Sequence, residues 1–249
     1  NGDGAAFVSA GSTGALLSAA TLMVKRIRGI RRAAMAPVVP TGGGGAVLID
    51  CGATAEGTPE YLLQFAFMGS YYAERVLKRP EPKVGLLNIG AEPSKGTDLQ
   101  REAHALLTEA GKAGRIHFVG NVEAREITHD QADVIVCDGF VGNVILKFME
   151  GVAGTLMGII KKELLSDTRS KLGALLAKPA FGRVKKAMDY SEVGGAPLLG
   201  VRGNVVKAHG SSNGHALACA TGQAVQMVRG GVVEKIEALL PQGGEQPAQ

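Results

Sequence analysis

The chain has 249 residues, of which 45% are hydrophobic, 20% charged and only 4% aromatic. This balance is typical of one or two globular domains with an aliphatic core, and it excludes a wholly disordered chain. The net charge of +4 suits an anionic ligand or partner without specifying nucleic acid. Three widely separated cysteines, Cys51, Cys137 and Cys219, argue against a disulfide framework and for a reducing cytoplasm.

The uncharged stretch 4–24 is the first candidate element. Its centre is polar and rich in glycine, whereas a membrane span needs about 20 predominantly apolar residues. No basic segment precedes it, as a signal peptide would require. The stretch therefore predicts a strand, a loop and a helix. Because the sequence begins at Asn1, close to a strand, we expect further chain before it.

Short apolar runs alternate with longer amphipathic segments along the chain. The runs predicted as strands are 5–9, 46–50, 83–89, 116–120, 133–137 and 205–208. The segments predicted as helices are 14–27, 60–77, 99–110, 143–165 and 214–240. This alternation predicts an α/β fold with a mostly parallel sheet flanked by helices on both faces. We expect a single domain over residues 1–240 and a disordered tail over 241–249.

Each of the six predicted strands ends in a polar, glycine-rich turn. In a parallel sheet such turns lie along one edge, where ligands bind. A site built from backbone N–H groups and small side chains is therefore predicted there, although ordinary turn chemistry is the alternative. The residues predicted to bind phosphate or substrate are Ser9, Gly11, Ser12, Thr13, Asn88, Gly90, Gly96, Asn121, Asp138, Gly139, Gly142, Lys207, Gly210, Ser211 and Ser212.

Two of these turns suit an anion. Ser12 and Thr13 lie at a helix N-terminus, where hydroxyl and N–H groups can hold phosphate, although simple N-capping is the alternative. The run 90–97 resembles a nucleotide-binding P-loop, but Lys95 precedes Gly96 instead of following a glycine, so we exclude a P-loop. Lys95 still follows a strand, where it can meet phosphate. A solvated surface lysine is the other interpretation.

The loop 210–214 matches the G-x-S-x-G pattern of a nucleophile elbow. No aspartate follows Ser212, and His215 is only three residues away, so an anion-binding turn is favoured over a serine-hydrolase triad. None of the histidines forms a metal-spaced cluster with the cysteines, so we expect neither a metal nor a cofactor. His209, at a strand end, is the one histidine predicted to take part in chemistry, and a structural role is its alternative.

Basic residues and leucines are interleaved in the segment 158–188. This pattern predicts a basic amphipathic helical hairpin around Pro179, inserted in the domain. Such a face can bind an acidic protein or an anionic membrane surface, and a solvated helix pair in a dimer interface is a compatible alternative. The segment has almost no aromatic residues to stack on bases, so no nucleic acid is expected. The cations predicted to dock a carrier protein or membrane are Lys161, Lys162, Arg169, Lys171, Lys178, Arg183 and Lys185.

Several long motifs, in order, resemble one family. They are FVSAGSTGA at 7–15, LLNIG at 86–90 with Lys95-Gly96, FVGNVE at 118–123, DVIVCDGFVGNVILK at 133–147, DYSEVGGAPLLG at 189–200 and HGSS at 209–212. From about residue 6 to residue 228 the chain is similar to the acyl-acyl-carrier-protein:phosphate acyltransferases of the PlsX type. It departs at Ser12 and Thr54, where that family usually has asparagine. The family's first strand, which ends in an Asp-Ala-Met-Gly-Gly-Asp run, is not in this sequence.

The resemblance implies transfer of a fatty acyl group from acyl carrier protein to inorganic phosphate, which gives an acyl phosphate for phospholipid synthesis. It also implies a Rossmann-like three-layer fold, similar to phosphotransacetylases and isocitrate-dehydrogenase-like enzymes. The implied protein is a cytoplasmic homodimer that associates peripherally with the inner face of the membrane. Its implied partners are acyl carrier protein, inorganic phosphate, the fatty acyl chain and the anionic membrane surface.

Phosphate is already an anionic nucleophile near neutral pH, so the reaction needs positioning and oxyanion stabilisation rather than a nucleophilic side chain. The groups expected to hold phosphate are Ser12, Thr13, Lys95 and the loop 209–212. Those expected to position the thioester are Asn121, Asn143 and the backbone N–H groups near Gly142. Either Lys95 or His209 would protonate the leaving thiolate.

Two other functions also fit the pattern. A phosphotransacetylase-like enzyme acting on a coenzyme A thioester would share the phosphate site and differ in its thiol carrier. A non-catalytic module that binds lipid or acyl phosphate at the membrane would keep the hairpin without the chemistry.

Overall fold

A computed structural model describes residues 4–188 and 194–239, apart from the side chains of 185–188 and 239. The strands are β1 (Ala6–Ser9), β2 (Ala34–Met35), β3 (Val38–Val39), β4 (Ala46–Ile49), β5 (Lys83–Asn88), β6 (His117–Glu123), β7 (Val134–Val136), β8 (Ala196–Leu199) and β9 (Asn204–Lys207). The α-helices are α1 (Thr13–Ala19), α2 (Pro59–Arg75), α3 (Asp98–Lys112), α4 (Gly139–Leu164), α5 (Thr168–Met188), α6 (Gly214–Gly230) and α7 (Val232–Leu239). The predicted tail 241–249 and the motif residues 189–193 lie outside the described residues.

The strands form two sheets. One has the order β3-β4-β7-β5-β6, with β3 antiparallel at its edge and the other four strands parallel. The second has the order β1-β9-β8-β2, in which only β1 and β9 are parallel. The predicted α/β class, with parallel strands and flanking helices, is confirmed. The division into two sheets was not anticipated, because β2 and β3 have only two residues each and give no periodic signal in the sequence.

Two clusters of buried aliphatic residues, one on each face of the sheets, pack the two sheets and the helices together. The first is centred on α2, whose Phe65, Met68 and Tyr72 are buried with residues of β4, β7 and β9. Within it, Gln223 Nε2 of α6 donates to the buried Tyr72 hydroxyl at 2.6 Å. The second contains Leu16 of α1 with residues of β4, β7, β8 and β9, and the start of α4 packs against it. Aliphatic burial on both faces is the main stabilising contribution to such layers.

The stretch 4–24 forms β1, α1 and a π-helical turn over Ala20–Val24, as predicted. The predicted helix 214–240 is interrupted at Gly231, whose left-handed conformation ends α6 before α7 begins. Asn213 caps the start of α6 by accepting from the N–H of Ala216 at 2.9 Å. Local capping therefore fixes helix bounds that hydrophobic periodicity alone does not resolve.

Helices α4 and α5 form the protruding hairpin. They turn at residues 165–167, where Asp167 accepts from the N–H groups of Arg169 and Ser170 and so begins α5. The prediction of a turn at Pro179 is wrong, because this proline lies inside α5. The hairpin begins at Gly139 instead of residue 158, since α4 runs without a break from the site to the tip. All the predicted docking cations are exposed except Lys185, whose side chain is outside the described residues.

Helix α4 is also the one element, among the described residues, that is long and apolar enough to cross a membrane. Its 26 residues span about 39 Å, and no residue beyond Gly142 is buried. Length and composition alone do not establish insertion, because apolar helices that pack against a partner share both properties.

Candidate active site

Two turns lie side by side at the carboxyl ends of β1 and β9. We call residues 9–13 the serine turn and residues 208–212 the histidine loop. Ser9 is the register partner of Lys207, and the N–H of Ala208 donates to the carbonyl oxygen of Ser9 at 2.9 Å. The structure therefore brings these two predicted anion-binding segments to one edge.

The serine turn is closed by its own hydroxyls. Ser9 Oγ accepts from the N–H of Gly11 at 3.1 Å, and Ser12 Oγ caps α1 by accepting from the N–H of Ala15 at 3.3 Å. The hydroxyl of Ser12 thus performs the capping role that was the alternative to phosphate binding. Gly11, Ser12 and Thr13 are nevertheless exposed at the start of α1, where N–H groups attract anions.

The histidine loop pairs His209 with a serine. His209 Nδ1 lies 2.7 Å from Ser211 Oγ and accepts from the N–H of Ser211 at 3.2 Å. The N–H of Ser212 donates to the carbonyl oxygen of His209 at 3.0 Å. The G-x-S-x-G pattern has Ser212 at the nucleophile position, whereas the serine that contacts His209 is Ser211. His209, Gly210 and Ser211 are all exposed to solvent.

Asp50 joins the two sheets at this edge, and it was not among the predicted site residues. Its side chain is fully buried, and its carboxylate accepts from the N–H groups of Met35 at 2.8 Å, Ala53 at 3.1 Å and Thr54 at 2.7 Å. Met35 belongs to β2 of the four-stranded sheet, whereas Asp50 follows β4 of the other sheet. Burial raises the pKa of Asp50 from 3.8 to about 6, against the effect of the backbone donors. A strand followed by an aspartate and a glycine was the signal that could have identified it.

Gly139 and Gly142 allow the start of α4 to pack against the turn after β4. A β-carbon at Gly142 would lie 1.9 Å from the carbonyl oxygen of Asp50, and one at Gly139 would lie 2.3 Å from that of Thr54. The N–H of Gly142 donates to the carbonyl oxygen of Asp138 within the helix, at 3.0 Å. Both glycines are buried close-packing positions, and the prediction that they contact substrate stays a prediction.

Asp138 and Asn143 have different surroundings on α4. Asp138 is buried and caps the helix by accepting from the N–H of Val141 at 2.9 Å, so its carboxylate has a structural role. Asn143 is exposed and lies beside the turn after β4, since its Cβ and Cγ are each 3.6 Å from the position of a β-carbon at Gly52. Of the predicted residues on α4, Asn143 is the one whose amide can meet a substrate.

The loop 89–97 is braced by two buried asparagines. Asn88 Nδ2 donates to the carbonyl oxygen of Lys95 at 3.1 Å, and Asn121 Nδ2 donates to that of Glu92 at 2.8 Å. Asn121 lies within β6 and not in a turn, because β6 continues to Glu123. Asn121 therefore holds this loop, and its role beside the thioester stays a prediction.

Lys95 is the exposed cation of that loop. Its side chain packs over Gly90, where a β-carbon would lie 2.9 Å from Lys95 Cγ. Gly96 has a φ of +88°, and a β-carbon there would lie 2.6 Å from Asn88 Oδ1, so the loop requires glycine at this position. The two glycines shape the loop, and the lysine is free to reach solvent.

A cleft of about 710 Å³ lies at the other end of the parallel strands. It is lined by Tyr71 of α2, by Arg115 before β6 and by His117 at the start of β6, among others. We place the site at the carboxyl edge instead, because the predicted polar turns lie there and ligands of parallel sheets bind at that edge. Within residues 4–188 and 194–239, no group of three or more His, Cys, Asp or Glu residues is placed to hold a metal ion.

The family described as fatty acid synthesis protein matches residues 1–235. This chain belongs to that family. A protein of Alkaliphilus oremlandii named phosphate acyltransferase is 53% identical over 231 residues, which cover 93% of this chain and 68% of the relative. A protein of the same name from Clostridium novyi is 48% identical over 242 residues, covering 97% of this chain and 72% of the relative. The predicted family and enzyme class, an acyltransferase, are confirmed.

Solved phosphotransacetylases share the fold. The EutD phosphotransacetylase of Staphylococcus aureus superposes with a TM-score of 0.57 at 15% identity, over 92% of this chain and 64% of that one. A phosphotransacetylase of Streptococcus pyogenes gives a TM-score of 0.60 at 18% identity, over 90% of this chain and 63% of that one. The chain thus spans slightly less than two thirds of these structures. The predicted similarity of fold is confirmed, and at such identities the likeness concerns the fold alone.

Proposed function

We propose that this chain transfers a fatty acyl group from acyl carrier protein to inorganic phosphate, giving an acyl phosphate for phospholipid synthesis. The observation that carries the proposal is the adjacency of the serine turn and the histidine loop at one sheet edge. Together they offer exposed N–H groups, hydroxyls and an imidazole to an anion. The names of the relatives support the use of phosphate as the acceptor.

The reaction follows from the nucleophile that such a site would hold. A phosphate oxygen attacks the thioester carbonyl carbon, and the resulting tetrahedral oxyanion collapses with cleavage of the C–S bond. The thiolate leaves and takes a proton, while the acyl group stays on phosphate. The serine turn, Lys95 and the histidine loop would hold the phosphate, and the exposed amide of Asn143 would donate to the oxyanion. Lys95 or His209 would supply the proton.

The hairpin supports a docking role. Its described cations are exposed, so they can meet an acidic carrier protein or an anionic membrane surface. Exposed apolar side chains such as Phe140 and Phe148, 65% and 70% exposed on α4, suit a membrane or a second protomer. We therefore propose a cytoplasmic homodimer that associates peripherally with the inner face of the membrane.

The contact between His209 and Ser211 favours a second candidate function, that of a serine hydrolase. In a hydrolase the Ser211 hydroxyl would attack the thioester, and Ser211→Ala would lower turnover by about 10³-fold or more. In our proposal the hydroxyl only contacts an anion, so the same change should cost about tenfold, since a hydrogen bond contributes on the order of 1 kcal/mol. Thiol release by the variant, measured at saturating phosphate, separates the two.

A comparison of two thioester donors tests which thiol carrier delivers the acyl group. Free-thiol release should be fast from a long-chain acyl carrier protein and much slower from the matching coenzyme A thioester, and both rates should depend on phosphate. Equal rates with both donors would support the phosphotransacetylase-like alternative. Saturable lipid binding without any release would support the non-catalytic module.

A further inference from the structure

Lys147 is a cation of α4 that no prediction above placed in the site. It lies four residues after Asn143, so the two side chains are neighbours on the helix surface. Asn143 is fixed beside the turn after β4, at the carboxyl edge of the five-stranded sheet. In the same part of α4, Ile145 and Met149 pack against the cluster that contains Val205 of β9. Lys147 therefore belongs to the segment of α4 that is anchored to both sheets.

Lys207 ends β9 on the face that meets this cluster. It is the register partner of Ser9, so it projects beside the serine turn. Its side chain is half-buried, and its ammonium group donates to the backbone carbonyl of Ala208. No ion pair of Lys207 with a carboxylate occurs within residues 4–188 and 194–239. A partly desolvated cation therefore stands at the predicted phosphate site without a compensating charge.

The charges of the two lysines act on each other. The pKa of Lys207 is lowered first by burial and then by the positive charge of Lys147. Lys147 is itself held by Glu150, with Nζ 2.8 Å from Oε2, while about half of its side chain is exposed. Two cations against one carboxylate leave one positive charge in excess. An anion between the lysines would relieve their repulsion.

We propose that Lys147 and Lys207 together bind a phosphate group at the carboxyl edge, with Lys147 as a substrate-positioning residue. The inference rests on the proposed transfer to phosphate and adds a cation from α4 to it. The phosphate group has two possible sources, the free inorganic phosphate that accepts the acyl group and the phosphodiester of a phosphopantetheine-linked donor. The register of Lys207 with Ser9 favours inorganic phosphate.

The test uses Lys147→Met, which keeps the length of the side chain and removes its charge. The KM for inorganic phosphate should rise about tenfold or more, because a charge-assisted hydrogen bond is lost, while the KM for the acyl donor stays constant. Lys147→Arg should restore most of the affinity. Glu150→Gln removes the carboxylate that pairs with Lys147. This change should lower the KM for phosphate, in contrast to the increase expected for Lys147→Met.

The two sources are distinguished by the donor. If the KM for an acyl-phosphopantetheine donor rises instead, and that for acyl-pantetheine does not, the lysines bind the phosphate group of the donor and the phosphate-group proposal stands. If Lys147→Met changes neither KM, the proposal is overturned.

A binding measurement separates this inference from the proposed function. Inorganic phosphate alone should raise the thermal midpoint of the wild-type protein and of Lys147→Arg, and it should raise that of Lys147→Met much less. Equal stabilisation of all three, together with an unchanged KM for the acyl-phosphopantetheine donor, would overturn the role of Lys147 even if the protein transfers acyl groups. Lys112→Met, an exposed lysine at the end of α3, is the matched control and should behave as wild type.

Discussion

Asp50 shows how one buried carboxylate can organise a site that it does not line. Its oxygens accept backbone N–H groups from β2 and from the turn after β4, so it fixes the relative position of the two sheets. The carbonyl oxygen of the same residue accepts the Cys137 thiol, with Sγ 3.3 Å away, just before α4. The alignment of the serine turn with Asn143 therefore depends on a residue with no access to solvent.

The titration of Asp50 should appear in the pH dependence of stability. Because its pKa is raised from 3.8 to about 6 in the folded protein, the folded state binds the proton more tightly than the unfolded state. The stabilisation of the folded state that comes from this tighter proton binding is fully present below pH 3.8. It is lost as the pH rises through about 6. The free energy of unfolding of wild type relative to Asp50→Asn should therefore fall by about 2 kcal/mol between pH 4 and pH 8.

Denaturant titrations of both proteins between pH 4 and pH 8 measure this difference. Above about pH 7 the difference should be constant, which serves as the internal control. A difference that stays level across the whole range, or rises with pH, would show that the Asp50 carboxylate is not held in this way.

Gly142 should tolerate no side chain. A β-carbon there would lie 1.9 Å from the carbonyl oxygen of Asp50, so Gly142→Ala should force α4 away from the turn and cost about 3 kcal/mol or more. Gly151→Ala is the matched control on the same helix, since nothing lies within 4 Å of its β-carbon position. That change should be neutral or stabilise by up to about 1 kcal/mol. Urea unfolding checks both, and equal stabilities would refute the close packing.

Lys95 should matter for turnover and not for folding. Its side chain is exposed, and only its carbonyl oxygen holds the loop, so Lys95→Ala keeps the contact with Asn88. We expect turnover to fall about 10²-fold or more, because the variant lacks a cation that contacts phosphate or protonates the thiolate. The thermal midpoint should stay within about a degree of wild type. Wild-type turnover in this variant would remove Lys95 from the mechanism.

At the scale of elements, α4 combines two roles along one helix. Its first three turns pack against both sheets and carry Asn143 and Lys147 to the site. Its remaining turns extend into solvent with α5 and carry the exposed cations of the hairpin. A carrier protein docked on the hairpin would therefore sit at the far end of the helix that carries Asn143.

Charge reversal on α5 tests that arrangement. Arg169→Glu combined with Lys171→Glu should raise the KM for acyl carrier protein several-fold, because both side chains are exposed and the partner is acidic. The KM for inorganic phosphate should not change, in contrast to the effect expected of Lys147→Met. Steady-state kinetics at low salt checks this, with a coenzyme A thioester as the control donor. An unchanged KM for the carrier would place docking elsewhere.

The sequence predicts the periodic elements of this fold and misses those that tertiary pairing creates. Strands such as β4 and β5, and helices such as α2, are long enough for their apolar pattern to identify them. β2 and β3 have two residues each and exist because neighbouring strands supply their hydrogen bonds. The split into two sheets was therefore not predictable from periodicity.

The same distinction applies to the site. The glycine-rich turns and Lys95 could be predicted as candidates because they directly follow strands that the apolar pattern identifies. Asp50 was missed since its importance depends on Met35, which is distant from any motif. Asn121 was misplaced by the early end predicted for β6, and Gly142 has a packing role that only the approach of another backbone reveals.

For the whole molecule, the central claim is that phosphate is the acceptor of the acyl group. The most direct measurement incubates the protein with a long-chain acyl carrier protein and ³²P-labelled inorganic phosphate, and follows label that enters organic solvent with the acyl chain. We predict one labelled acyl phosphate for each thiol released. Thiol release with free fatty acid and no labelled acyl phosphate would contradict the account and indicate a hydrolase.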